Sequence, residues 1–222
     1  MSGLIWRIKM NEIDTAIKAG EYKRVYLLYG EEVYLVKEYL QKLRDSVVDK
    51  AMEMMNLNIF EGKADIDSII NACETLPFMS RQRLVIVKDS RLFETGRKED
   101  TEKLKEYISS VPDTTVICFV EDKADKRNAL YKAVNKAGSC MEFAFLKDNE
   151  LIKWVSDKSQ KRIKPQAAAY LVRNVGTSME AIEGEIDKLL NYVSDGGEIT
   201  NALIDSICTK SPETNVFEMV EA

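Results

Sequence analysis

Apolar positions along the chain follow two periods. Arg24–Tyr29, Asn56–Phe60, Leu84–Val87, Thr115–Val120 and Cys140–Phe145 are short runs rich in apolar residues, each reading as a strand. Between them apolar residues recur at helical spacing: Ile13, Ala16 and Ile17 within 10–19, and Val36, Tyr39, Leu40 and Leu43 within 32–44. The same spacing gives Ile66, Ile69, Ile70 and Cys73 within 65–74, Leu104, Tyr107, Ile108 and Val111 within 101–111, and Leu130, Ala133, Val134 and Ala137 within 126–137. Asp65 is placed to cap one of these helices, Gly20 and Gly138 to end two others, and Pro112 to stop a fourth. The polar, charged stretch Ser90–Asp100 reads as a mobile loop. Strands alternating with helices predict an α/β fold, a three-layer sandwich around a five-stranded parallel sheet.

After Leu146 the strand signal stops. Four helical segments follow: Asn149–Lys161, Gln166–Asn174 entered through Pro165, Met179–Val193 capped by Ser178, and a last one capped by Thr200 and running to Ile207. The expected organisation is an α/β domain over 1–146 and a small all-α domain over 147–210. The tail Pro212–Ala222 carries Val216, Phe217, Met219 and Val220 at helical spacing, so 211–222 reads as the start of a third unit.

One stretch breaks the pattern. Between the helix ending at Glu74 and the strand starting at Leu84, a polar turn is the rule. Here Leu76, Pro77, Phe78 and Met79 are consecutive and apolar. Pro77 cannot donate a backbone hydrogen bond and biases Leu76 away from helical angles, so the helix stops and Phe78 falls at a loop tip. Apolar side chains on a stiff loop suit a pocket on a partner. The plainer alternative is that Phe78 folds back over the helix end as core.

Composition removes several classes of chemistry. The 222 residues include no histidine, which excludes histidine bases, Ser-His-Asp and Cys-His nucleophiles and most zinc sites. Cys73, Cys118, Cys140 and Cys208 are far apart and form no CxxC, so no disulfide framework or zinc-ligand pair is expected. The net charge of −5 argues against a dedicated nucleic-acid grip. No run is long enough to span a membrane, and the first residues lack the apolar centre of a signal peptide, so a cytoplasmic protein is expected.

In a parallel sheet, ligands bind beyond the carboxyl ends of the strands. A phosphate loop belongs after the first strand, where Gly30 stands. The positions for the second glycine, the lysine and the hydroxyl hold Leu35, Val36 and Lys37, and Glu31 and Glu32 would repel phosphate. No cofactor is expected there. The acidic ends Lys88-Asp89 and Glu121-Asp122 could hold magnesium, or be solvated strand ends and helix-entry caps. The basic residues Lys153, Lys158, Lys161, Arg162 and Lys164 could track a phosphate backbone, or be a solvated face balanced by nearby acids. No metal site and no catalytic residue is expected.

The ordered set Tyr26-Leu27-Leu28-Tyr29-Gly30-Glu31-Glu32, Leu76-Pro77-Phe78-Met79-Ser80, Arg83-Leu84-Val85-Ile86-Val87-Lys88-Asp89, Glu185-Ile186-Asp187-Lys188-Leu189 and Asn215-Val216-Phe217-Glu218 resembles the delta subunits of the bacterial DNA polymerase III clamp loader. The resemblance implies an AAA+-like domain that has lost nucleotide binding, a helical lid, and a C-terminal collar, begun at 211–222, that joins other loader subunits. It implies that the sliding clamp is bound, and one ring interface opened, by an apolar wedge mapping onto Leu76, Pro77, Phe78 and Met79. Some members carry Leu-Phe at the tip, where this chain has Pro77-Phe78 with Leu76 one residue earlier. It implies contact with DNA only within the assembled loader, and no membrane partner. ATP-using relatives begin the third lid helix with Gly-Ser-x-Arg; the similar stretch here, Gly176-Thr177-Ser178-Met179, lacks the arginine. The competing readings are an ATP-dependent AAA+ enzyme and a nucleic-acid binding module.

Overall fold

The computed structural model describes residues 13–63, 65–94, 98–193 and 196–209, with side chains omitted at 98–100. The expected helix of the tail lies outside these residues. By their internal contacts the residues form two units that divide between Phe145 and Leu146.

The first unit is built on five parallel strands, β1 (Val25–Tyr29), β2 (Leu57–Glu61), β3 (Arg83–Lys88), β4 (Thr115–Glu121) and β5 (Ser139–Glu142). Their order across the sheet is β2-β3-β4-β1-β5. The central pairs run Leu27 opposite Phe119 and Val85 opposite Ile117. All five residues of β1, and the first five of β3 and β4, are buried. Both faces are therefore covered, which is why these strands read as unbroken apolar runs and not as alternating ones.

The face carrying Val25, Leu27, Tyr29, Val85, Val87, Ile117 and Phe119 packs under α4 (Ile66–Glu74), α5 (Lys98–Ile108) and α6 (Ala129–Ala137). Those helices contribute Ile69 and Cys73, Leu104 and Ile108, and Leu130 and Val134. The opposite face is covered by α2 (Val33–Val47), whose Leu35, Val36, Tyr39 and Leu43 are buried. A helical stretch at 13–19 (α1) lies against α2, with the Tyr39 hydroxyl donating to Asp14 at 3.3 Å. This is the three-layer sandwich expected.

Two readings are corrected. Asn56 does not begin β2; it ends a four-residue helix, α3 (Glu53–Asn56), preceded by a 3-10 turn at Lys50–Met52. The start of the expected mobile loop is core: Leu92 and Phe93 are buried, and Phe93 packs edge-on to Phe119 with ring centroids 5.1 Å apart. Helix α5 begins at Lys98, inside that expected loop. The other element ends shift by a few residues: α6 starts at Ala129, because Asn128 caps it by accepting from the Leu130 amide, and β5 stops at Glu142.

The second unit holds α7 (Asp148–Lys158), α8 (Pro165–Val175), α9 (Met179–Tyr192) and α10 (Asn201–Ile207). Its core is Leu151, Val155, Ala168, Leu171, Ile182, Ile186, Leu189 and Ile204. Ser178 and Thr200 cap α9 and α10 as expected, accepting from the amides of Ala181 and Leu203. An isolated parallel bridge joins Ile163 to Ile199. Among the described residues no helix is long and apolar enough to cross a membrane.

Gly30 is fixed by backbone approach. Its φ is +135°, and a Cβ there would stand 2.2 Å from the Phe143 carbonyl oxygen. Gly30→Ala is expected to destabilise the first unit by roughly 3 kcal/mol, through strain and forced separation of β1 from the chain after β5. Chemical denaturation followed by far-UV circular dichroism measures this; an unchanged midpoint would contradict it.

Candidate protein-interaction site

The two ends of the sheet differ in chemistry. At the carboxyl end, the connection from β1 to α2 is only Gly30, Glu31 and Glu32. The Glu32 amide, at the start of α2, donates to the Phe143 carbonyl at 3.0 Å. The Glu32 side chain is itself buried at the same place. The amide that opens the helix, where a phosphate would sit, is thus engaged by the protein's own Phe143 carbonyl, with a buried carboxylate beside it. Burial raises the Glu32 pKa.

A cleft of about 960 Å³ lies beyond the ends of β2, β3 and β4, lined by residues of 61–63, 89–94 and 121–123. Its charges are mixed: Glu61, Asp89, Glu94, Glu121 and Asp122 against Lys63, Arg91 and Lys123. Glu121 corrects the picture of solvated strand ends and caps. It is buried, its Oε1 accepts from the Ser90 amide at 3.1 Å and from the Ser90 hydroxyl, and its Oε2 accepts from the Arg91 amide at 3.0 Å. Burial raises its pKa, and these three donors oppose the rise. Its role is to fix the Ser90-Arg91 turn that leads Leu92 and Phe93 into the core. Among the described residues no cluster of three or more His, Cys, Asp or Glu side chains is arranged to hold a metal ion.

At the amino end, the segment between α4 and β3 is held by two buried polar side chains. Asn56, fully buried, accepts from the Phe78 amide at 2.7 Å and donates to the Phe78 carbonyl at 2.9 Å and to the Ser80 hydroxyl at 2.9 Å. Arg83, 3% exposed, donates through Nη1 to the Thr75 carbonyl at 2.8 Å and to the Leu76 carbonyl at 3.4 Å, and through Nη2 to Asn58. A guanidinium on the carbonyls of the C-cap residue Thr75 and of Leu76, just past α4, complements the negative end of the helix dipole, which offsets part of the cost of its burial. Met79 adopts a left-handed φ of +47°, a conformation that a non-glycine residue keeps only where its surroundings impose it.

With its backbone pinned, the segment turns its side chains outward. Leu76 is 77% exposed, Phe78 49% and Met79 79%, while Pro77 is half-buried. Phe78 is therefore not packed away as core. All four apolar residues named from the sequence fall in this one feature. Asn56 was missed, because in sequence it looks like the first residue of a strand. The available signal was a buried-length gap: 45–55 had no assigned element, and an asparagine closing it can cap or latch.

In the second unit two of the five basic residues of the expected cluster pair with acids. Lys158 pairs with Glu183 at 2.6 Å and Lys164 with Glu198 at 2.8 Å. Met179, at the position where ATP-using relatives were expected to carry arginine, is buried.

Comparison with known proteins gives this geometry a context. Over 95% of the chain it superposes on the solved structure of the Bacillus subtilis DNA clamp loader delta protein (YqeN), with a TM-score of 0.81 and 32% identity, covering 65% of that chain. The architecture is thus AAA+-like, of the clamp-loader class. In sequence, residues 26–144 match the family described as DNA polymerase III, delta subunit. The chain is 35% identical over 217 residues to DNA polymerase III subunit delta of B. subtilis, covering 92% of this chain and 62% of that protein. It is 24% identical over 210 residues to the probable DNA polymerase III subunit delta of Aquifex aeolicus, covering 90% and 59%. The chain belongs to the DNA polymerase III delta-subunit family, and it spans about three fifths of the length of these curated relatives.

The Asn56 latch is testable without a partner. Asn56→Ala leaves the Phe78 amide and carbonyl without these bonds and is expected to cost about 1–3 kcal/mol of stability. Amide hydrogen exchange at 76–80 should accelerate well beyond the change in strands β1 and β4. Uniform acceleration across the sheet would mean that Asn56 supports the fold generally and not this loop.

Proposed function

We propose that this chain is a non-catalytic clamp-opening subunit that binds a sliding clamp through Leu76, Pro77, Phe78 and Met79. The observation that carries this reading is the preformed apolar loop, pinned by Asn56 and Arg83 with Phe78 half-exposed, in a chain of the delta-subunit family. Phe78 is the anchor, filling an apolar pocket on the clamp, with Leu76 and Met79 beside it. Opening requires more than anchoring. A ligand shifts an equilibrium only by its differential affinity for the two states, so contacts around the anchor must favour a distorted ring over the closed one. The energy of binding then appears as strain at one ring interface, which loads the clamp on primed DNA.

No nucleotide chemistry is assigned to this chain. The three-residue turn at Gly30–Glu32 and the buried Glu32 carboxylate disfavour an ATP-dependent AAA+ enzyme, and sister subunits would supply ATP control. The net charge of −5 and the paired lysines of the second unit disfavour a free-standing nucleic-acid binding module, so DNA is met only within the assembled loader. Other loader subunits would be joined through a collar that the chain's relatives are expected to carry. The work is cytoplasmic, beside the chromosome.

The test is binding of the chain to the sliding clamp of its own organism, without nucleotide. Phe78→Ala is expected to weaken binding roughly 30-fold, the loss of one aromatic hot spot of about 2 kcal/mol, with an unchanged circular dichroism spectrum. Absence of wild-type binding, or binding indifferent to Phe78, would overturn the proposed site.

A further inference from the structure

Nine large hydrophobic residues are exposed among the described residues, and five of them, Met54, Met55, Leu76, Phe78 and Met79, belong to the two segments that the Asn56 side chain joins. Met54 is 97% exposed and Met55 57%. They belong to α3, whose last residue is Asn56, the side chain that grips the Phe78 backbone. Met55 is therefore held immediately beside the loop. The short helix is not loose chain: Glu53 pairs with Arg44 of α2, and Asp49 accepts from the Ala51 amide at 2.9 Å to fix the turn before it. Two exposed methionines on an anchored turn, next to a projecting aromatic loop, extend the apolar surface beyond the residues that any sequence motif marks.

We infer that Met54 and Met55 form a second contact surface for the same partner, an apolar shelf flanking the Phe78 anchor. This rests on the proposed clamp binding by the loop. The occupant is the clamp surface adjoining the pocket that takes Phe78, because the Asn56 hydrogen bonds make shelf and loop one continuous surface. The residue types suit the task. Phe78 is stiff and fits one pocket; methionine is unbranched and polarizable and repacks against surfaces of changing shape. A shelf of Met54, Met55 and Met79 can stay in contact while the clamp distorts, which gives the differential affinity that an anchor alone lacks.

The experiment compares wild type, Phe78→Ala, the double variant Met54→Ser/Met55→Ser and the double variant Met54→Leu/Met55→Leu, each titrated with the clamp without nucleotide. Because both methionines are exposed, melting temperatures should match wild type. The serine pair is expected to weaken binding roughly tenfold, and the leucine pair to stay within about threefold of wild type. If Phe78→Ala abolishes binding while the serine pair binds within twofold of wild type, the shelf is wrong and the loop reading stands. If Phe78→Ala has no effect, the loop reading fails and takes the shelf with it. If the chain self-associates at the titration concentrations and the serine pair abolishes that, the shelf is a contact between two copies of this chain, and the inference is overturned.

Discussion

The arrangement depends on one pair of hydrogen bonds, those between the Asn56 amide group and the Phe78 backbone. They join a four-residue helix before β2 to the segment before β3, and so fix two neighbouring strand entries to each other at the amino end of the sheet. Arg83 completes the restraint from the other side by holding the Thr75 and Leu76 carbonyls just past the end of α4. Ordering a flexible loop costs about 1–2 kcal/mol per residue in backbone entropy alone. Here that cost is met on folding, with the left-handed turn at Met79 held in place, so the exposed side chains are presented in one geometry before any partner arrives.

The carboxyl end shows the complementary change. In sheets of this class the turn after the first strand is the place for phosphate, yet here Phe143 closes over Gly30 so tightly that no side chain fits, and its carbonyl takes the Glu32 amide. Nearby, Glu121 is spent on holding the Ser90-Arg91 turn. Groups at this end of the sheet are thus engaged in the protein's own contacts. What projects from the first unit is the apolar edge at the opposite end.

Much of this was legible in the sequence, for physical reasons. Strands buried on both faces announce themselves as apolar runs, and helices with one buried face as 3.6-residue stripes, so Val25–Tyr29 or Ile66–Glu74 could be read within a residue or two. The apolar loop stood out because Leu76–Met79 violates the rule that turns are polar. The failures share a cause, namely partners distant in sequence. Leu92 and Phe93 looked like loop because charged residues follow them, and only Phe119 and its neighbours make them core. Glu121 looked like a solvated acid because Ser90 and Arg91, its donors, lie 30 residues away. Asn56 looked like a strand residue because α3 is too short to show a period, and its ligand, Phe78, is 22 residues on.

The central claim is that the amino end of the sheet, not the carboxyl-end cleft, is the working surface. Amide hydrogen exchange of the chain with and without saturating sliding clamp measures this directly. The account predicts slowed exchange in 53–56 and 75–82 when the clamp is present, with 61–63, 89–94 and 121–123 unchanged. Protection concentrated around the cleft, with 75–82 unaffected, would contradict it.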